Sequence, residues 1–190
     1  MSETIDYPSE LDEYLTLPNE KRVRIRALRR CEEGPIRELY ARLSPRSRYF
    51  RFFSPMPTLP DSLVRMLACV DYRRQLALLA EYDNGRGSEV IGLGSFGAVE
   101  KDDVSGDVNG DVEVALVIRD DWQRLRIGTE MARRIMKAAE DRGFHRFIVH
   151  MHAENVATRR LLKHVGEIVS ATMHGAMSEV AFVARRLSAV

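Results

Sequence analysis

Between Val112 and Gly143 the chain reads VEVALVIRDDWQRLRIGTEMARRIMKAAEDRG. The apolar run at its start predicts a buried strand, and the polar turn after it leads into an amphipathic helix with Gly128 in its first turn. Met131, Ala132, Ile135, Met136 and Ala139 recur on one side of that helix, and Arg133, Arg134, Lys137 and Glu140 on the other. Core packing explains such a stripe, methionines included. A strand that runs straight into a helix aims free backbone N–H groups, and the positive end of the helix, at whatever lies above the turn. That arrangement is a phosphate seat.

The segments around this unit alternate in type. Val23 to Leu28 (VRIRAL) alternates apolar and basic residues, as a strand with one buried face does, and Glu32 to Leu43 has Ile36, Leu39, Tyr40 and Leu43 at helical spacing. Residues 43–60, LSPRSRYFRFFSPMPTLP, mix proline, arginine and aromatics and are not expected to be regular throughout. A short helix is predicted from Ser62 to Val70. Paired strands follow at Arg74 to Glu81 and Glu89 to Val99 around the turn signal DNGRG, with Gly92, Gly94 and Gly97 marking bulges or close backbone approach. Beyond the central unit come a strand at His145 to His152, a helix from Asn155 to His164 stopped by Gly166, and strands at Glu167 to Thr172 and Glu179 to Leu187. The order predicts an α/β (α+β) domain around a mixed sheet over residues 21–190, preceded by an N-terminal arm, residues 1–20.

Composition narrows the function. Lys+Arg 29 against Asp+Glu 28 leaves a net charge of +1, which exerts no bulk pull on nucleic acid or anionic lipid. Cys31 and Cys69 stand far apart without a CxxC partner, so buried, reduced thiols are expected. The acidic N-terminus MSETIDYPSE lacks the apolar core of a secretory signal, and no apolar run reaches the roughly 18 residues of a membrane span. The expectation is a soluble, cytoplasmic protein with neither nucleic-acid nor membrane partners. No metal is expected either: His150 and His152 share a strand face with no third ligand at sensible spacing. The acidic loop KDDVSGDVNGD, with Gly110 set on the invariant glycine of a calcium loop, puts Leu116 where a bidentate glutamate belongs. It reads as a solvated hairpin tip.

At the central stretch the chain resembles the GNAT acetyltransferase superfamily, whose acyl-CoA motif is Gln/Arg-x-x-Gly-x-Gly/Ala at a strand–helix junction. Gln123, Arg124, Leu125, Arg126, Ile127 and Gly128, followed by Thr129, stand at that motif. The element order also matches, over residues 22–188. VEVAL and LSPRSRYFRFF are similar to segments in the GNAT domain of bacterial protein lysine acetyltransferases. The resemblance implies a single domain with a mixed, mostly antiparallel sheet of about seven strands and about four helices. It implies an acetyl-CoA-dependent N-acetyltransferase acting on a primary amine, a protein lysine or else a small amine, as monomer or homodimer. Pantetheine is then expected along Leu116, Val117 and Ile118, pyrophosphate on the amides from Arg124 to Thr129, and Asn155 either on the pantetheine arm or serving as a plain helix cap.

The same resemblance makes Glu113 the general base. An alkyl amine is protonated near neutral pH and must lose a proton before it attacks a thioester, which a carboxylate within reach can accept. The residues alone leave two readings open, since Glu113 lies in an apolar strand. Partial burial would raise its pKa toward the working range, whereas a solvent-facing side of the strand would make it an ordinary surface glutamate. Two departures from the family pattern stand out. Arg126 occupies the position of the first glycine, where it either blocks the seat or swings out to add a charged donor. Leu162 occupies the position, seven residues after Asn155, where many members carry a tyrosine acid. These departures keep an alternative in play: a catalytically degenerate GNAT domain serving as an acyl-CoA-binding or protein-interaction module.

Overall fold

The apolar runs form strands, and the strands join one sheet. The computed structural model describes residues 6–99 and 110–185. In chain order the elements are β1 (Glu13–Thr16), β2 (Arg22–Ala27), α1 (Gly34–Arg42), α2 (Pro45–Phe52), α3 (Asp61–Ala68), β3 (Gln75–Asp83) and β4 (Ser88–Ala98). There follow β5 (Val112–Ile118), α4 (Ile127–Glu140), β6 (Phe147–His152), α5 (Val156–Val165), β7 (Gly166–His174) and β8 (Met177–Ala184). The eight strands lie in the order β1-β2-β3-β4-β5-β6-β8-β7. Neighbours are antiparallel except β5 and β6, where the crossover through α4 makes the pairing parallel.

Alternation along the strands divides the core in two. Val112, Ile118, Phe147, Val149 and Val180 pack with Ile127, Met131, Ile135 and Met136 of α4 and Leu162 of α5 on one face. Leu79, Val90, Leu93 and Val117 pack with Ile36 and Leu39 of α1 and Val64 of α3 on the other. The predicted inner face of the central helix is the observed one, with Ala132 only partly buried.

The structure corrects several expectations. Residues 13–16, read as part of an arm, pair antiparallel with β2 and form the first strand. The proline-rich stretch contains α2: Ser44 caps it by accepting the Ser47 N–H, Pro45 occupies the first turn, and Phe53 ends it at φ 56°. Among the described residues the sheet has eight strands and there are five α-helices, in keeping with the single mixed-sheet domain expected. Both cysteines are exposed rather than buried. Apart from Gly110 and Asp111, the acidic loop lies outside the described residues. No helix among the described residues is long and apolar enough to cross a membrane.

Close approach explains Gly92 and Gly94 of β4, whereas Gly97 is uncrowded. A Cβ on Gly94 would lie 2.3 Å from Ile135 Cδ1 and 2.9 Å from Leu116 Cδ1, so the absent side chain is what lets α4 settle on the sheet. Replacing Gly94 with valine is expected to destabilise the fold by about 1–3 kcal/mol through overpacking, read as a lower denaturation midpoint in urea.

Candidate active site

β5 and β6 pair at Val112↔Phe147 and Glu113↔Ile148, and no further. The Val112 N–H donates to the Arg146 carbonyl on the β6 side at 3.1 Å, while the Arg119 N–H donates to Ile91 of β4 at 2.8 Å. Backbone groups of a strand alternate in direction. Val114, Leu116 and Ile118 therefore turn their N–H and C=O groups toward β6, and Ala115 and Val117 toward β4. Past Glu113 the β6 side of this strand is an open edge. Ile118 has its carbonyl already taken, by the Gln123 side chain at 3.0 Å. Of the strand residues expected to meet a ligand, Leu116 and Ile118 face the gap, whereas Val117 is turned to β4 with its side chain in the opposite core layer.

The first turn of α4 sits at the mouth of this gap. A Cβ on Gly128 would stand 3.7 Å from both Leu116 Cδ2 and Ile118 Cγ1, ordinary contact distance, so this glycine is not required by crowding. Arg126 is the N-cap residue and offers no side-chain cap, leaving the first amides of the helix for a ligand. Its φ is 67°, and that of Arg124 is 63°, both in the left-handed region that favours glycine. This conformation accounts for glycine in the motif, and here an arginine adopts it. Both arginines are exposed, as Gln123 is. Leu125 and Ile127 pack into the core. An uncapped positive helix end flanked by two guanidinium groups suits a phosphate or pyrophosphate. Asn155 caps α5, its Oδ1 accepting the Thr158 N–H at 3.1 Å, which leaves its amide NH2 as the group available to a ligand. Leu162 is buried in the core at 5% exposure and provides no proton donor.

On the face of the sheet opposite α4, the strands place a charged cluster under α2. Glu113 Oε1 lies 3.4 Å from His150 Nδ1, and His150 Nε2 lies 3.1 Å from Glu179 Oε2. Of the two readings left open for Glu113, the structure shows the exposed one: its side chain is 50% exposed. Sequence reading placed His150 and His152 on one face correctly, but the carboxylates beside them come from β5 and β8, which only the strand order brings together. No group of three His, Cys, Asp or Glu side chains among the described residues is placed to hold a metal ion. From α2, Tyr49 shares a hydrogen bond with His152 Nε2 at 3.2 Å, and Phe50 packs against the same ring.

Arg51 is also on α2. Its Nε is wholly covered without a hydrogen-bond partner, as is His152 Nδ1. Burial pushes the Arg51 guanidinium down to about 10, with the Glu113 charge acting in the opposite direction, so it stays a cation at neutral pH.

A latch holds α2 over the gap. Asp120, in the turn after β5, accepts the Ser44 N–H at 3.0 Å and the hydroxyls of Ser44 and Ser47 at 2.7 and 2.8 Å. Burial alone would raise the Asp120 carboxyl; the hydrogen bonds from Ser44 and Ser47 overcome it and hold the group below the usual carboxylate range. Next to it, Arg119 bridges Asp121 at 2.6 Å and Glu89 of β4 at 2.8 Å. The end of β5 is thereby tied toward β4 and away from β6.

Comparison with known proteins is consistent with this geometry. The family model for the acetyltransferase (GNAT) domain matches residues 22–167. Acetyltransferase PA5475 of Pseudomonas aeruginosa is 29% identical over 146 residues, spanning 77% of this chain and 75% of that protein. The crystal structure of the GNAT domain of S. lividans PAT superposes with a TM-score of 0.81 at 19% identity, covering 94% of this chain and 99% of that one. The yncA protein of Salmonella typhimurium, solved with its cofactor acetyl-CoA, superposes with a TM-score of 0.64 at 15% identity, covering 88% and 96%.

The left-handed Arg126 yields a prediction with two opposed readouts. Arg126→Gly should stabilise the fold by up to about 1 kcal/mol, because the backbone conformation no longer costs a side chain its preferred region. The same change should weaken binding of coenzyme A, and the loss should shrink as salt is raised. Thermal denaturation and titration calorimetry at two ionic strengths measure both.

Proposed function

The chain belongs to the acetyltransferase (GNAT) family and takes its acetyl group from acetyl-CoA, and on that premise we propose that it transfers this group directly to a lysine side chain of a protein. The observation that carries the reading is the position of Glu113. It is the last β5 residue paired with β6, so its carboxylate stands where the open edge begins. On this reading the pantetheine arm extends the sheet along Leu116 and Ile118, and the pyrophosphate rests on the first turn of α4 between Arg124 and Thr129. The Asn155 amide donates to the arm. The Arg126 side chain adds charge from outside the seat.

The acceptor reaches the other face. Glu113 takes one proton of the alkylammonium, the freed nitrogen lone pair attacks the acetyl carbon, and the C–S bond breaks to release the coenzyme thiolate, which takes the amine's second proton. A half-exposed carboxylate in an open cleft suits a side chain carried on a large partner, and the Glu113 and Glu179 carboxylates favour approach of a cation. One observation favours a second reading: Arg51 offers a partly covered cation beside Glu113, which suits a small amine that carries its own carboxylate.

Glu113→Gln should lower kcat by about 10²- to 10⁴-fold, the usual worth of a general base, while leaving the Kd for acetyl-CoA within about twofold. Thiol release with lysine-containing protein and with free amino acids as acceptors measures the first quantity, and calorimetry the second. Unchanged turnover in the variant would remove Glu113 from the reaction. Faster release with free amino acids than with protein would move the acceptor to the second reading.

A further inference from the structure

Direct cross-strand pairing sets His150 of β6 opposite Glu179 of β8, and the same ring reaches back to Glu113 on β5. One imidazole thus stands between two carboxylates from different strands. Its two contacts differ. The Nε2 contact to Glu179, at 3.1 Å, is a hydrogen bond, whereas Nδ1 stands off from Glu113 at 3.4 Å. A neutral imidazole has one N–H and one bare nitrogen. With its proton on Nε2 the imidazole donates to Glu179 and turns the bare Nδ1 toward Glu113. In that tautomer Nδ1 can accept a proton once Glu113 becomes protonated.

Glu113 becomes protonated in the reaction proposed above. We propose, on the basis of that reading, that His150 and Glu179 form a relay that carries the proton from Glu113 to solvent. The ammonium gives its proton to a Glu113 oxygen. The Glu113 O–H proton passes to His150 Nδ1, making an imidazolium that donates to both carboxylates. The Nε2 proton then leaves through Glu179 to water, and exchange with water restores the starting tautomer. One proton enters and one leaves at each turnover.

The surroundings favour this route once substrates are bound. Glu113 is half exposed in the free protein, but an acceptor amine seated on it, with α2 above, displaces the water that would otherwise take the proton. Glu179, at 45% side-chain exposure, keeps its contact with solvent on the far side of His150. Among the described residues, Arg51 and Tyr49 on α2 and His152 two residues along β6 stand near this cluster. The Arg51 charge acts on Glu113, and Tyr49 and His152 are bonded to each other. Within these contacts His150 alone links the base to a second carboxylate.

Two variants separate relay from simple positioning. Gln can bridge Glu113 and Glu179 through its amide but cannot pass a proton, so His150→Gln should lower kcat about 10- to 100-fold with acetyl-CoA binding by calorimetry unchanged. His150→Ala should lose as much, and added imidazole or 4-methylimidazole should restore its activity by about tenfold or more. Full activity in His150→Gln, or a folded His150→Ala that imidazole does not rescue, overturns the relay while leaving the acetyltransferase reading intact. A wild-type protein that binds acetyl-CoA but acetylates no amine overturns both.

Discussion

The interruption of hydrogen bonding between β5 and β6 is the constraint on which the rest depends. A strand edge facing the interior of a sheet leaves polar backbone groups to be satisfied, and folded proteins keep such edges only where something will pair with them. Here the two strands separate because each is held from its other side. β6 is paired along its whole length with β8, and β5 along its whole length with β4. The Arg119 bridges to Glu89 and Asp121 fix the end of β5 on the β4 side, and Gly92 and Gly94 of β4 let α4 sit low enough to bring its first turn to the gap. Spreading the strands and seating the helix are thus one packing solution.

Because side chains alternate across a strand, the gap has two unlike sides. The α4 side presents amides, a helix N-terminus and arginines, all donors to an anion. The α2 side presents Glu113, His150 and Glu179 as proton acceptors, with Arg51 as the opposing charge. On the proposed reading, a phosphate-bearing donor and a cationic acceptor are drawn to opposite faces and meet at the edge between them. The Asp120 latch matters for this reason: three hydrogen bonds from Ser44 and Ser47 keep α2 attached to the strand that carries Glu113.

How much of this was legible depended on sequence separation. The strand, turn and helix from Val112 onward are contiguous, so periodicity alone located these three elements. The left-handed backbone at Arg126 was only a possibility until the φ of 67° was seen, since an arginine there masks the usual glycine signal. The helix α2 was hidden by its prolines, although Ser44 followed by Pro45 is itself a helix-start signal. The contacts of His150 were out of reach, because Glu113 and Glu179 lie far from it in the chain and strand order is not written in local pattern. The exposure of Cys31 and Cys69 and the half-exposure of Glu113 depended likewise on which helix covers which face.

The central claim is that the open edge of β5 and the first turn of α4 together receive acetyl-CoA, and amide hydrogen exchange tests it most directly. On addition of acetyl-CoA, the amides of Val114 and Leu116, together with those of Ile127, Gly128 and Thr129, should exchange more slowly. Those of Ala115 and Val117, already directed at β4, should change little. Slowing of all β5 amides alike, or of none while calorimetry reports binding, would contradict the claim and move the coenzyme to another part of the molecule.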